Sequence, residues 1–427
     1  MNKRKIINDP VYGFISIPSD LVFDMIEHPY FQRLRYIKQL GMTHLVYPGA
    51  LHTRFHHALG AMHLMRLSIE VLRSKGHEIN AGEEEAVTIA ILLHDVGHGP
   101  FSHALEHTLV QGLSHEHISV MLMNSLNKQF NGQLTTAISI FEGTYAKGFL
   151  HELVSSQLDM DRLDYLNRDS FFTGVSEGVI SSDRIIKMLN VKDGHIVIEE
   201  KGIYSVEKFL IARRLMYWQV YLHKTVIAAE QLLVKILQRS RELVTQGKTL
   251  FATPALEYLL TNTITSDKLM QADHHLEIFT SLDDTDIMSA VKVWATNEDF
   301  VLAKLCTDFV QRKLFHVDIT AQPASGEYAS QLTRKAAKKY GISESDAGYF
   351  VFADSIRNDA YKPGDGNIRI LKKNDTIMRD KQISTTLVLI RYSNSIIDPD
   401  VPRAAKHFNM RLANFPNNLL TIITTAI

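Results

Sequence analysis

Apolar residues recur three or four positions apart along most of the first 300 residues, and this spacing predicts a mainly α-helical protein. The helix predicted at 83–93 is apolar on nearly all sides, so we expect it to be central and buried. The predicted helices cover residues 21–26, 31–40, 56–72, 83–93, 115–130, 134–141, 149–156, 159–168, 182–189, 205–244, 253–261 and 284–296.

The pattern changes after about residue 314, where short stretches of β-branched and aromatic residues alternate with glycine- and aspartate-rich turns. These strand candidates cover 315–319, 349–353, 368–372 and 385–392, with a turn at 363–366. We therefore expect a helical part at 1–314 and a smaller C-terminal α+β lobe at 315–427. Within the helical part, Asp193-Gly194 predicts one β-hairpin, because this dipeptide suits a tight hairpin turn.

Composition narrows the classes of partner. The formal net charge is −1 over 427 residues, which makes a nucleic-acid or membrane-surface partner unlikely, so local basic groups must hold any anionic ligand. The single cysteine, Cys306, excludes an intrachain disulfide and a thiolate-rich zinc site, and it fits a reducing cytoplasm. No signal peptide or membrane span is expected. The 20 histidines concentrate between 28 and 117, which hints at metal or phosphate chemistry.

The stretch 90–103 begins as an apolar helix and ends as a polar loop with three histidines and one aspartate. His94 and Asp95 are adjacent, so they can converge on one ion only where the backbone is irregular, and Gly97 and Gly99 permit this. Imidazole and carboxylate together suit a divalent metal ion such as Zn, Fe, Mn, Ni, Co or Mg. Two ligands are too few for such an ion.

Two other stretches offer further ligands. His57 follows Arg54, and the acidic helix predicted at 159–168 places Asp161 and Asp164 on neighbouring faces, where one carboxylate could reach the ion. Buried histidine and aspartate can instead be hydrogen-bonded core groups. The combination of these stretches favours a metal site over that alternative.

Five separated motifs occur in one order along the chain, and together they resemble the deoxynucleotide triphosphohydrolases of the HD superfamily of metal-dependent phosphohydrolases. That group includes the SAM-and-HD-domain enzymes and their bacterial relatives. The resemblance spans roughly residues 5–240. The motifs are Phe31-Gln32-Arg33-Leu34-Arg35-Tyr36-Ile37-Lys38-Gln39-Leu40-Gly41, Arg54-Phe55-x-His57, His94-Asp95-x-Gly97-His98-Gly99-Pro100-Phe101-Ser102-His103, His115-Glu116 and Asp161-x-x-Asp164-Tyr165-x-x-Arg168-Asp169.

The resemblance implies roles for particular residues at the reaction centre. His57, His94, Asp95 and Asp161 would be the metal ligands. His103 and His115 would be the acid/base pair, with Glu106 or Glu116 orienting one of them, and His98 would face the phosphates. A histidine suits this task because it exchanges protons near neutral pH and can protonate a poor leaving group.

The remaining implied residues bind the nucleotide. Arg54, Arg162 and Arg213, together with Tyr165, are the candidates for the triphosphate, since guanidinium forks match phosphate oxygens. By resemblance, Asp169 would accept the sugar 3′-hydroxyl, Tyr221 would stack under the sugar, and Gln39 and Leu40 would line the same pocket. Two residues depart from the family pattern: Arg162 stands where lysine is usual, and Leu222 replaces a polar residue.

The resemblance also implies a second nucleotide site. The segments containing Lys5, Asn8, Glu27, Gln32 and Arg35 resemble those that form an activating guanine-nucleotide site between subunits, which implies a homodimer or homotetramer. Alternatively, Arg33, Arg35 and Lys38 are a solvated helix face. The sequence thus predicts a triphosphohydrolase that releases deoxynucleoside and triphosphate. The alternatives are an HD hydrolase of a nucleoside monophosphate or signalling nucleotide, and a nucleotide-binding protein without catalysis.

Overall fold

The computed structural model describes residues 5–101, 110–111, 114–262, 264–265, 273–320, 326–356, 368–378 and 420–425. The predicted catalytic residues His103 and Glu106, the turn at 363–366 and the strand at 385–392 lie outside the described residues. The described chain is mainly α-helical with several small sheets, as the hydrophobic pattern predicts.

The helices include the predicted ones in order and four that the pattern does not predict, which begin at Asp273, Phe300, Gly326 and Glu344. They are α1 Asp20–Glu27, α2 Pro29–Gln32, α3 Arg54–Ser74, α4 Ala81–Leu93, α5 His115–Gln129, α6 Thr135–Phe141, α7 Gly148–Val154, α8 Met160–Thr173, α9 Ser182–Lys187, α10 Ile203–Met216, α11 Lys224–Thr245, α12 Pro254–Thr261, α13 Asp273–Thr280, α14 Asp284–Trp294, α15 Phe300–Val310, α16 Gly326–Tyr340 and α17 Glu344–Ala347. Single turns of 3₁₀-helix cover Arg33–Tyr36, Gly41–Leu45, Ser176–Gly178 and Glu200–Gly202, and a π-helical turn covers Tyr217–Tyr221.

The strands form four small sheets. They are β1 Ile6–Asp9, β2 Gly13–Ser16, β3 Val110–Gln111, β4 Leu189–Lys192, β5 His195–Glu199, β6 Ile264–Thr265, β7 His316–Thr320, β8 Val351–Ile356, β9 Ile370–Leu371, β10 Ile377–Met378 and β11 Leu420–Thr425. β1 and β2 form an N-terminal antiparallel hairpin, β3 pairs with β6, and β11 lies between β7 and β8. β9 pairs with β10 on one side and in parallel with β5 on the other, so a C-terminal segment completes the sheet of the β4–β5 hairpin.

The β4–β5 hairpin forms where Asp193-Gly194 predicts it. Both turn residues have positive φ angles, 54° and 76°, as a type I′ turn requires. The helix α4 is central, and every residue from Ala86 to Leu93 is buried, which confirms the interpretation of its all-round apolar pattern. α3 packs against both α4 and α8. These three helices carry most of the candidate site.

Two predicted helices are wrong in their extent. The one at 31–40 ends at Tyr36, because Ile37 is extended and Lys38 makes a bridge with Thr53 and donates its backbone N–H to Asp284. Long-range contacts here override helical spacing. The tract at 205–244 is interrupted by the π-helical turn and by His223, whose side chain caps α11 at the N–H of Thr225. Among the described residues, none of the helices combines the length and apolar character needed to cross a bilayer.

Candidate metal and substrate site

The ends of three helices position His57, His94, Asp95 and Asp161. Thr53 caps α3, so His57 lies in its first turns and points into the core, where it is fully buried. α4 ends at Leu93, which puts His94 at its C-terminal cap and Asp95 just beyond. Asp159 caps α8 by accepting the N–H of Arg162, and Asp161 follows in the first turn.

The loop after α4 is fixed by contacts with α5. Ser119 Oγ donates to the carbonyl of His94 and accepts the N–H of Gly97. A Cβ on Gly97 would lie 2.2 Å from the carbonyl oxygen of His115 and 2.4 Å from the nitrogen of Ser119. Gly97 is therefore required by this close approach of two backbones, and the expected freedom to bend is not the reason for it.

Four side chains converge at this point, and we call His57, His94, Asp95 and Asp161 the metal end of the site. His57 Nε2 is 3.3 Å from His94 Nε2 and 3.1 Å from Asp161 Oδ1. His94 Nε2 is 3.5 Å from Asp161 Oδ1 and 3.3 Å from Asp95 Oδ1. Ligands bound to one ion at about 2.1 Å lie about 3.0–3.4 Å apart. His57, His94 and Asp161 therefore fit a divalent metal ion and could hold one, and Asp95 approaches the same point through His94.

Groups behind the two imidazoles fix their orientation. His94 Nδ1 lies 2.6 Å from the carbonyl oxygen of Ile91, which only accepts, so Nδ1 donates and the neutral imidazole carries its lone pair on Nε2. His57 Nδ1 lies 2.7 Å from Asp164 Oδ2. Burial lowers the pKa of His57, but hydrogen bonds to Asp161 and Asp164 outweigh it and raise that pKa to about 10. This preference for positive charge suits a cation site, with partners behind the ligands that are typical of protein-bound metals.

His98 and His115 form a second cluster beside Asp95. His98 Nε2 lies 3.2 Å from Asp95 Oδ1, and the His98 and His115 rings stack with centroids 3.8 Å apart and planes at 16°. Asp95, His98 and His115 are close enough to be considered as a ligand set. However, the lone pairs of stacked imidazoles run side by side, so one ion cannot lie in both ring planes. Burial and Arg54 hold the pKa of His98 well below its usual value, and this pair suits proton transfer better than metal binding.

We call Arg162, Arg213, Asp169 and Tyr221 the substrate end of the site, after the role that the sequence predicts for them. α8 places Asp161, Tyr165 and Asp169 four residues apart on one face, along ~12 Å of helix. Asp169 is buried, and its two oxygens lie 2.8 Å from His52 Nε2 and 2.7 Å from the Tyr221 hydroxyl, which donates. The π-helical turn ends at Tyr221, whose ring meets that of Tyr165 edge to face.

The three predicted phosphate-binding arginines have a common feature. Arg54 Nη1 donates to Asp95 Oδ2 at 2.5 Å, Arg213 Nη1 donates to Gln157 Oε1 at 3.0 Å, and Arg162 pairs with Asp159. The Nε atom of each arginine is buried without a hydrogen-bond partner in the part of the chain that the structure describes, as are those of Arg33 and Arg66. Gln39 Oε1 is in the same condition. A buried polar atom normally has a partner, so the three Nε donors are suited to a ligand that supplies acceptors, and Gln39 Oε1 is suited to one that supplies a donor.

The other predicted residues lie nearer the surface. Leu40 is half-buried, the Gln39 N–H donates to the carbonyl of His52, and Glu116 is exposed in the first turn of α5. The activator candidates Lys5, Asn8, Glu27 and Arg35 are exposed, and Gln32 Oε1 accepts a hydrogen bond from Arg35 Nε. Arg33 is not part of a solvated face, because it is buried and donates to the carbonyls of Val96 and His98. It thereby supports the loop that follows α4.

Sequence reasoning missed several residues that complete the site. Asp164 was considered only as an alternative metal ligand, but it lies behind His57 with Arg168. His52 and Gln157 carried no signal, since their importance depends on contacts with Asp169 and Arg213, which lie 117 and 56 residues away in the sequence.

With the geometry established, comparisons with known proteins identify the class. The sequence matches the HD domain at residues 54–164 and the HD associated region at 180–254. It is 35% identical over 381 residues to the uncharacterized protein YwfO of Bacillus subtilis, covering 87% of this chain and 84% of that protein. It is 50% identical to a phosphohydrolase of Bacteroides thetaiotaomicron of known crystal structure, with a TM-score of 0.89 over 99% of both chains.

The chain therefore belongs to the HD-domain family of phosphohydrolases. It is also 34% identical over 239 residues to the deoxynucleoside triphosphate triphosphohydrolase SAMHD1 homolog of Dictyostelium discoideum. That match covers 52% of this chain and 46% of the relative, so it bears on the HD part rather than on either whole protein.

Proposed function

We propose that this phosphohydrolase uses a divalent metal ion to cleave deoxynucleoside triphosphates into deoxynucleoside and inorganic triphosphate. The observation that carries the proposal is the set of buried arginine Nε atoms without partners, next to a metal end rich in carboxylate and imidazole. A polyphosphate supplies hydrogen-bond acceptors for the arginine Nε atoms. It also supplies negative charge, which a cation at the metal end would attract.

The residues beyond the metal end suit the nucleoside part of the substrate. Beyond Asp161 along α8, Tyr165 offers an aromatic face and Asp169 a buried carboxylate held by His52 and Tyr221. We assign Asp169 to the sugar 3′-hydroxyl, because a buried carboxylate is a strong acceptor for such a group. Tyr221, Gln39 and Leu40 would form the walls of the sugar pocket. This assignment is in keeping with the resemblance to the triphosphohydrolase from Dictyostelium discoideum.

The reaction joins a water oxygen to the α-phosphorus and breaks its bond to the 5′-oxygen, which leaves with a proton. His57, His94, Asp95 and Asp161 would hold the metal ion, which when bound polarises a phosphoryl oxygen and lowers the pKa of water. Arg162 and Arg213 would balance the charge of the released triphosphate. We assign the proton for the 5′-oxygen to His115, which is stacked on His98 beside Asp95. His103, Glu106 and Glu116 stay predictions.

The test is a product assay on purified protein loaded with Mn, Mg, Fe, Co, Ni or Zn. Each deoxynucleoside triphosphate should yield deoxynucleoside and inorganic triphosphate in equal amounts. Absence of turnover with every substrate, alone and with added GTP or a second deoxynucleotide, would contradict the proposal. Orthophosphate from a nucleoside monophosphate, or a product from a signalling nucleotide, would favour the other HD hydrolases. Nucleotide binding without hydrolysis that survives the double variant His94→Ala, Asp95→Ala would favour a binding protein.

The activator site and the homodimer or homotetramer also belong to this proposal. Lys5, Asn8, Glu27, Gln32 and Arg35 would bind an activating nucleotide between subunits. Arg35→Ala should then remove stimulation by GTP while leaving the unstimulated rate unchanged, and light scattering with and without GTP would report the assembly. Equal stimulation of the variant and the wild type would contradict this assignment.

A further inference from the structure

A buried chain of hydrogen bonds runs from the N-terminal β1–β2 hairpin to the back of His57. Asp9 Oδ2 accepts from Arg168 Nη1 at 2.8 Å, and Arg168 Nε donates to Asp164 Oδ2 at 2.9 Å. The same Asp164 oxygen lies 2.7 Å from His57 Nδ1. Asp9 is 7% exposed, and the other three side chains are fully buried.

We propose that Asp9 and Arg168 are positioning residues through which the N-terminal hairpin sets the affinity of His57 for its metal ion. The inference rests on the proposed function only in taking His57 as a metal ligand. It adds two residues, outside the ligand set, whose effect on the metal is indirect.

Arg168 determines the orientation of Asp164. Its Nε and Nη2 donate to the two oxygens of that carboxylate at 2.9 and 3.0 Å, a fork that fixes the carboxylate plane. The third arm, Nη1, reaches Asp9. The Arg168 guanidinium thus lies between the buried carboxylates of Asp9 and Asp164. Removal of either carboxylate would change the charge and geometry of the groups that remain in the chain of hydrogen bonds. Because Asp164 Oδ2 faces His57 Nδ1, a turn of its carboxylate would rotate the imidazole and misdirect Nε2.

Neighbouring residues leave space for the ion pair between Asp164 and Arg168. Gly60 lies in the middle of α3, where a Cβ would be 2.0 Å from Asp164 Oδ1 and 2.2 Å from Arg168 Nη2. Any larger residue would expel the ion pair from its place. On another side, the Tyr12 ring lies 5.6 Å from the Arg168 guanidinium carbon. Residues on the hairpin, α3 and α8 therefore all contribute to holding Arg168.

Asp9 has a second role that ties the hairpin itself to this chain. Its Oδ1 accepts the N–H groups of Val11 and Tyr12 at 2.9 Å each, so the same carboxylate shapes the β1–β2 turn. A displaced hairpin would withdraw Asp9 from Arg168. The hairpin also carries Lys5 and Asn8, so a nucleotide bound there would be in mechanical contact with a proposed metal ligand.

Metal affinity tests the proposal without relying on catalysis. Metal-free wild type, Asp9→Asn, Asp164→Asn and Arg168→Lys are each titrated with Co²⁺ or Mn²⁺, using calorimetry and the visible absorption of bound Co²⁺. Loss of a hydrogen-bonded partner behind a ligand weakens metal binding by about 10- to 100-fold, which we expect for Asp164→Asn. Asp9→Asn, one step further away, should weaken it by roughly 3- to 10-fold, about 1 kcal/mol.

A double-mutant cycle separates positioning from general loss of stability. If Asp9 acts through Asp164, Asp9→Asn should weaken metal binding in the wild type but have no further effect in the Asp164→Asn background. An equal effect in both backgrounds, or wild-type affinity in Asp9→Asn, would overturn the proposal. Should Asp9→Asn fail to fold, Arg168→Lys replaces it in the same cycle, since lysine keeps the charge and loses the fork.

Asp299→Asn is the matched control. Asp299 also accepts from an arginine, Arg239, and from a backbone N–H, that of Leu302, and it caps α15 in another part of the molecule. The substitution Asp299→Asn should lower the melting temperature without changing metal affinity. Wild-type protein that binds metal yet leaves every deoxynucleotide intact would refute the proposed function and not the role of Asp9. A wild type that binds no metal would overturn the role of Asp9.

Discussion

The two ends of the site differ in what holds their polar side chains. At the metal end, the Nδ1 atoms of His57 and His94 each have a fixed partner behind them, Asp164 and the carbonyl of Ile91. At the substrate end, Arg162 and Arg213 each have one protein partner but also a buried Nε without any among the described residues. The imidazoles of the metal end are held by contacts within the protein, whereas the buried Nε donors of the substrate end are suited to a ligand that supplies acceptors. Metal affinity and substrate affinity should therefore be separable by mutation.

The largest effect is expected from removal of an imidazole at the metal end. His94→Ala should abolish retention of the metal ion and reduce kcat/KM on the order of 10³-fold or more, as for other groups that take part directly in catalysis. Elemental analysis after gel filtration and the product assay measure both. His117→Ala is the control, because His117 is exposed in the first turn of α5. A variant that keeps its metal would show that His94 is not a ligand.

A substitution at Gly60 should disturb the residues that support His57. Gly60→Ala places a Cβ against Asp164 and Arg168 and should lower the free energy of unfolding by about 3 kcal/mol and weaken metal binding. Denaturant unfolding and metal titration provide the two readings. Gly82→Ala, also in a helix but with its nearest neighbour 3.3 Å from the added Cβ, should be neutral or stabilising. Equal behaviour of the two variants would refute the packing argument.

At the substrate end, loss of a guanidinium should affect nucleotide binding and spare the metal. Arg213→Met should raise KM for a deoxynucleoside triphosphate by about 30-fold, or about 2 kcal/mol, since a charge-assisted contact is lost. Metal affinity should stay at its wild-type value. Arg214→Met is the neighbouring control. If Arg213→Met released the metal instead, the separation of the two ends would be wrong.

The smallest change removes a single hydroxyl. Tyr221→Phe deletes the donor to Asp169 and should reduce kcat/KM by about fivefold, or about 1 kcal/mol. The loss should be smaller for a 2′,3′-dideoxynucleotide, which has no 3′-hydroxyl for Asp169 to accept. Steady-state kinetics with both substrates measures this difference. An identical loss for the two would place the 3′-hydroxyl away from Asp169.

Local sequence patterns point to the residues of the metal end more clearly than to those of the substrate end, for a physical reason. His94 and Asp95 follow an unusually apolar helix, and Asp161 lies in a helix whose charged residues recur on one face, so local patterns expose them. His52 becomes significant only through Asp169, across 117 residues. No local pattern carries that information.

The same difference explains the errors in the fold. Most helices were predicted because their apolar residues repeat with the helical period. The helix at 31–40 was overextended because Lys38 pairs with Thr53 and Asp284, and neither partner is visible from spacing. In the same way, the alternative that places Arg33 on a solvated face is wrong, because Arg33 donates to two carbonyls of the loop after α4. The predicted division at residue 314 stays a prediction.

The contact between Asp9 and Arg168 also has a consequence for the order in which the protein is made. The hairpin that carries Asp9 leaves the ribosome before Arg168, which follows roughly 160 residues later, or about 8 to 30 s at usual rates of synthesis. During that interval the turn can form while its carboxylate has no cation to pair with. The nascent chain therefore cannot close the support behind His57 until α8 has emerged, and until then the metal end is incomplete as well, because Asp161 lies in the same helix.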